Sequence, residues 1–174
     1  MDPLKIVGTS LAVFARGLAV TGATAAQGSR ISVVFANPEK YTDLKVTCVS
    51  GDAGARGLMS DLERFLREAA ARRVPEGQRL EITVTNIDMA GEIESWRGPG
   101  RCDLRLMTDV YPPRVDLQFR ILGADGAELR AGTRRLRDSN YLTHAAPVTA
   151  DQLRYEKALL LDWLQKELRG STGS

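Results

Sequence analysis

One histidine and two cysteines are all that 174 residues offer as imidazole or thiolate. His144 stands beside Ala145-Ala146-Pro147, in a segment that reads as a surface loop. A serine hydrolase needs a nucleophile, a base and an orienting acid brought together. His144 offers a base, but no nucleophile-elbow pattern accompanies it. Neither Cys48 nor Cys102 has a second cysteine or a histidine at ligand spacing, so no metal site is expected. Gly98-Pro99-Gly100 is not a phosphate loop, because no strand-to-helix turn with Lys and Ser or Thr follows it. No cofactor is expected.

An excess of charge of one sign is also lacking. Lys and Arg number 24 against 22 Asp and Glu, for a formal net charge of +2. The basic residues are interleaved with acids along the chain, so nucleic acid is not an expected partner. Long hydrophobic runs are missing too. The longest uncharged stretch before Arg16 is Ile6 to Ala15, half of the ~20 apolar residues needed to cross a bilayer. No transmembrane segment is expected.

What is present at the N-terminus has the pattern of an export signal. Lys5 heads an apolar stretch from Ile6 to Ala15 that resumes from Gly17 to Val20. Ala23-Thr24-Ala25 precedes Ala26-Gln27, with small residues where a signal peptidase reads. Asp2 and Arg16 depart from the pattern, and the alternative is an N-terminal arm on a cytoplasmic protein. The expectation is a signal peptide over residues 1–25, one domain over 26–169, a disordered polar tail over 170–174, and a periplasmic or secreted product. No cysteine near the cleavage site suggests lipid attachment. Losing Lys5, Arg16 and Asp2 lowers the net charge by one. Apolar content of 43% and charged content of 26% are globular values. An even cysteine count in an oxidising compartment points to a Cys48–Cys102 disulfide, the alternative being two separate buried thiols.

Periodicity then supplies the elements. Ile31 to Phe35 reads as a strand ended by Asn37-Pro38, and Asp43 to Val49 as a second, with Leu44, Val46 and Cys48 alternating. Gly51 to Gly57 reads as a turn region. Leu58, Met59, Leu62, Phe65, Leu66, Ala69 and Ala70 follow helical spacing and predict an amphipathic helix over 57–73, stopped by Pro75 and Gly77. Leu62 and Phe65 are its expected core contacts. Leu80, Ile82 and Val84 alternate with polar residues in a strand; Ala90 to Arg101 reads as a long loop. Val115 to Ile121 and Ala127 to Arg137 form a hairpin around Asp125-Gly126, with Leu129 and Ala131 expected on the face opposite Arg130. Ala150 to Arg169 predicts a second helix, with Thr149 as cap and Gly170 as stop. The fold class is α+β: a single domain with a mixed or mainly antiparallel sheet and two helices packed on one face.

The acids are the remaining candidates for chemistry. Asp88 and Glu92 stand at the mouth of the long loop, while Asp109, Arg114, Asp116 and Asp138 surround the hairpin. Paired carboxylates in a cleft perform acid–base work. The alternative is that they cap turns, pair with Arg97 and Arg114, and satisfy backbone amides. Glu156 borders the apolar face of the second helix and needs a partner, for which an arginine on the sheet is expected. Arg120, Arg130 and Arg134 are expected to share the wet sheet face as a basic stripe.

Several segments taken together resemble a known family: Val33 to Asp43, Ile87 to Glu92, Pro113 to Asp116, Gly126 to Gly132, Asp138 to Tyr141, and Tyr155-Glu156-Lys157 with Asp162-Trp163. They resemble the proteobacterial family catalogued as domain of unknown function 3016, over essentially all of residues 30–166. The resemblance implies an export signal and brings no activity, substrate or catalytic residue. Asp88, Glu92, Arg114, Asp116, Asp138 and Tyr141 make up the candidate binding set. The first functional reading is a non-enzymatic module that binds an envelope protein or small ligand. The second is a small hydrolase or cation-binding protein using carboxylates around Asp88 and Glu92.

Overall fold

A computed structural model of the chain describes residues 29–47, 51–94, 104–143 and 151–169. The expected signal peptide, Cys48, Cys102, most of the long loop, His144, Thr149 and the tail from Gly170 lie outside the described residues. Four strands form one sheet, lying side by side in the order β1 (Ile31–Phe35), β2 (Arg79–Asp88), β5 (Arg114–Leu122) and β6 (Glu128–Arg137). β1 and β2 run parallel, joined by helix α1 (Gly51–Ala71), and β2, β5 and β6 are antiparallel. A two-stranded ribbon, β3 (Glu92–Ile93) with β4 (Arg105–Leu106), stands beside them, and α2 (Arg154–Arg169) closes the chain. The α+β class, the single domain and the mainly antiparallel mixed sheet agree with the sequence reading.

Alternation dictates the core. Leu80, Ile82 and Val84 of β2 and Val115, Leu117, Phe119 and Ile121 of β5 are buried under the helices. Leu58, Leu62 and Leu66 of α1 and Leu160, Trp163 and Leu164 of α2 meet them. Trp163 presents its ring edge-on to Phe119 at 5.7 Å. Phe65 departs from expectation: it is only half-buried, turned toward α2, with the Lys157 ammonium 5.9 Å from its ring centre.

Other boundaries also moved. α1 starts at Gly51, so the stretch read as a turn is helical. Ala55 in it packs against the core, and this tertiary contact overrides the weak helix preference of its glycines. The second strand expected from Asp43 is not formed over its described residues. Residues 44–47 are irregular, and Asp43 alone bridges Asp88. Asp43 exchanges backbone hydrogen bonds with Ile87 O (3.0 Å) and Met89 N (3.2 Å), so the chain hooks onto the end of β2. The hairpin turn is as expected, with Gly126 at φ 84 and the Asp125 carboxylate accepting from the N–H of Ala127. α2 begins at Arg154 rather than 150, and Asp151 caps it, accepting from the N–H of Leu153 at 2.9 Å.

The faces of β6 are reversed from the sequence reading. Ile121 pairs with Arg130 and Leu122 with Glu128, which leaves Leu129 as the extra residue of a bulge, 55% exposed. One added residue turns every later side chain to the other face. Arg130, Gly132, Arg134 and Leu136 therefore face the helix side, while Ala131, Thr133, Arg135 and Arg137 lie on the open face.

Candidate functional site

The end of the sheet where β2 finishes and β5 begins gathers most of the polar chemistry. The segment after β1 builds its floor. Asn37 takes a left-handed conformation (φ 52), and Pro38 opens a one-turn 3-10 helix to Lys40. Tyr41 then donates its hydroxyl to Val84 O at 2.8 Å, and burial pushes the pKa of that hydroxyl up to about 12. Thr42 clips to the Asn86 side chain through both its N–H and its hydroxyl. This locks Asp43 beside Asp88.

Arg105 is the hub. Its Nη1 reaches Asp43 Oδ2 at 2.7 Å and Gly91 O at 2.9 Å, and its Nη2 reaches Lys45 O at 3.0 Å. The two side chains are 11% and 9% exposed, so the pair is essentially buried. It ties β4 to the hook after β1 and to the turn after β2. Gly91 makes this closeness possible. Its φ is +75, and a Cβ there would lie 2.7 Å from Leu106 O and from Met107 Sδ.

Of the six candidates, the structure pairs two. Arg114 lies 3.7 Å from Asp88 across the β2–β5 ladder. Burial pushes the Asp88 carboxyl up and Arg114 pulls it back; the Asp43 carboxylate pushes it up again. Asp116 is the next open-face residue along β5 from Arg114, and the other three belong to other segments. Glu92 belongs to the ribbon, opposite Leu106. Asp116 is on the open face in register with Asn86 and Arg135. Asp138 follows β6 and accepts from the N–H of Asn140 at 2.9 Å, as an Asx turn does. Tyr141 is 1% exposed, donates its hydroxyl to Thr108 O at 2.7 Å and meets Tyr155 edge-on at 4.7 Å. It is a pin between the 108–111 loop and α2.

The stripe divides between the two sheet faces. Arg120 is on the open face between Glu81 (3.1 Å) and Glu128 (2.9 Å). Arg130 and Arg134 face α2 and share Glu167, at 3.3 and 2.9 Å. Arg134 also lies over the Phe119 ring at 5.0 Å, in the space that Gly132 leaves by having no side chain. The bulge at Leu129 is the physical reason for the split.

Glu156 is fully buried, and its partner is not an arginine. Its Oε1 accepts from the N–H of Ala90 at 2.7 Å, while Oε2 has no hydrogen-bond partner among the described residues. Burial pushes its carboxyl up, and the Ala90 amide, Arg105 and Arg154 offset this only in part. A carboxyl raised in the folded state contributes stability below its ordinary value of 4.5 and loses it as pH rises through the folded value. Wild-type protein should therefore lose stability relative to Glu156→Gln between acid and neutral pH. Urea titrations of both proteins at pH 4.5 and pH 7 would read this, and a difference that does not change with pH would refute it.

Asp43, Arg105 and Glu156 together organise this end, and of the three only Glu156 stood out in the sequence. Among the described residues no group of three His, Cys, Asp or Glu is placed to hold a metal ion. Guanidinium groups occupy the places beside Asp43 and Asp88 where a cation would stand. The open sheet face carries a shallow depression of about 300 Å³ lined by Glu81, Thr83, Gln118, Arg120, Ala131 and Thr133 among others. Among the described residues no helix is long and apolar enough to cross a membrane.

Searches of the curated proteins and of the solved structures return no significant match. A family model described as "Protein of unknown function (DUF3016)" matches residues 29–166, which takes in the six described strands and most of α2. The chain belongs to that family.

Proposed function

We propose that this protein is an exported, non-enzymatic binding module that docks a partner on the open face of its sheet. One observation carries the reading: the face of four strands opposite the helices is polar and, among the described residues, uncovered. Its rows run Ser32–Glu81–Arg120–Ala131, Val34–Thr83–Gln118–Thr133 and Asp88–Arg114–Arg137. Three acids near it support the same reading, because they are engaged locally: Asp43 by Arg105, Asp88 by Arg114, Asp138 by a backbone amide. The hydrolase or cation-binding alternative at Asp88 and Glu92 has less support, since Arg114 stands beside Asp88 and Glu92 is on a separate ribbon. Export to the periplasm rests on the pattern of residues 1–25, and a Cys48–Cys102 bond on that compartment.

A single experiment tests these parts. A photo-crosslinking residue is placed at Gln118, in the centre of the open face, and at Arg64, on the outer side of α1, in the full chain made in its native cell type. Intact mass should give a product starting near Ala26 and lighter by the two hydrogens of a disulfide. Gln118 should cross-link to a discrete partner, and Arg64 should not. A full-length cytosolic product would remove the export reading. Absence of a discrete product from Gln118 would remove the docking reading.

A further inference from the structure

We infer that β6 is an acceptor edge, along which an extended acidic segment of a partner protein pairs as a fifth strand. This rests on the docking reading above and names the partner's chemistry. β6 runs for 10 residues at the edge of the sheet, and among the described residues nothing pairs with its outer side. β1, at the opposite edge, has 5. Exposed edges are ordinarily blunted by brevity, proline, bulges or charge. β6 is long, contains no proline, and has its register shift at its beginning. Charge is what remains, and it is mostly of one sign: Arg130, Arg134, Arg135 and Arg137 against Glu128.

The arginines are not equivalent. Glu167 holds Arg130 and Arg134 from the helix side, and Glu128 is held by Arg120. Arg135 and Arg137 point to the open face and are in no ion pair with a described residue. Across the ladder Arg135 stands opposite Asp116, while Arg137 stands opposite Arg114, a like charge that lies 3.7 Å from the Asp88 carboxylate; the three arginines thus outnumber the two acids. The second half of the edge therefore has surplus positive charge beside an open backbone ladder.

This combination selects its occupant. A second copy of β6 would bring the same arginines together, and like charges on facing strands are destabilising. An incoming strand with acids on its open-face positions would meet Arg135 and Arg137 instead. Backbone pairing would supply affinity and the alternating acids specificity, the usual division in strand addition.

The test uses synthetic peptides as long as β6. A peptide alternating Asp and Val is titrated against the purified processed protein. Beside it run the same peptide with alternate backbone amides N-methylated and a Lys–Val counterpart. The Asp–Val peptide should bind, more weakly as salt is raised. The other two should not bind, and Arg135→Glu with Arg137→Glu should weaken Asp–Val binding by about tenfold or more, with circular dichroism and urea midpoint unchanged. Equal binding of the N-methylated peptide would overturn strand addition. Indifference to the double substitution would overturn the location, and no binding by the Asp–Val peptide would overturn the edge as an acceptor. Cross-links from Gln118 that persist in the doubly substituted protein would leave the docking face standing and remove only this inference.

Discussion

Replacing Arg105 by Ala is expected to cost about 3–5 kcal/mol of stability, the range found when one partner of a buried ion pair is removed. The pair is close to fully enclosed, with Asp43 at 7% exposure. Without the guanidinium, Asp43 is left as a buried charge with no counter-ion. The carbonyls of Gly91 and Lys45 lose their donors at the same time. Arg105→Lys keeps the charge but not the planar fork, so it should fall between wild type and Ala. The double change Arg105→Met with Asp43→Leu removes both charges, and it should be less damaging than Arg105→Ala alone. Urea denaturation of the four proteins checks the order. A loss below about 1 kcal/mol for Arg105→Ala would show that the hub does not hold this end of the sheet.

That hub was the least legible part of the molecule. Arg105 lies 62 residues from Asp43 and in a two-residue strand too short to show a period. Nothing in the spacing joined them. The segment Val33 to Asp43 was visible as a family motif, and its parts are now explained by conformation: a left-handed Asn37, a proline opening the turn, Tyr41 and Thr42 pinning it to β2. Those contacts are long-range, so their chemistry is absent from local pattern. Glu156 was visible because a carboxylate beside a leucine stripe is anomalous. Its partner was not, since a backbone amide carries no side-chain signal.

The readable parts were those where burial on one face imposes a strict period. β2 from Leu80 to Val84 and β5 from Val115 to Ile121 alternate cleanly because each has a helix-covered face and an open one. β6 is an edge, where long arginine stems serve on the inner face as well as leucine does, since their aliphatic carbons pack while their charged ends reach Glu167. Polarity there stopped reporting direction, and the bulge at Leu129 shifted the phase. The consequence is that the basic surface expected as a stripe across the sheet is instead at the open-face end of one edge, at Arg135 and Arg137. The start of α1 failed for a different reason. Glycines between 51 and 57 read as a turn, and the compensating contact of Ala55 belongs to tertiary structure.

The same logic separates two neighbours on α1 that the sequence treats alike. Leu66 is fully buried in the core, while Phe65 is half-buried beside Lys157. Leu66→Ala should therefore cost about 2–5 kcal/mol, from lost transfer energy and the cavity left in a close-packed layer. Phe65→Ala should cost less, about 1–2 kcal/mol, because part of the ring already meets water and the space left behind opens to solvent. The Lys157 ammonium over the ring adds at most about 0.5–1 kcal/mol to that, as expected for a partly exposed cation–π contact. Equilibrium urea titrations with a shared slope give both numbers. A larger loss for Phe65→Ala than for Leu66→Ala would mean that α1 is rotated about its axis relative to the sheet, carrying Phe65 into the core.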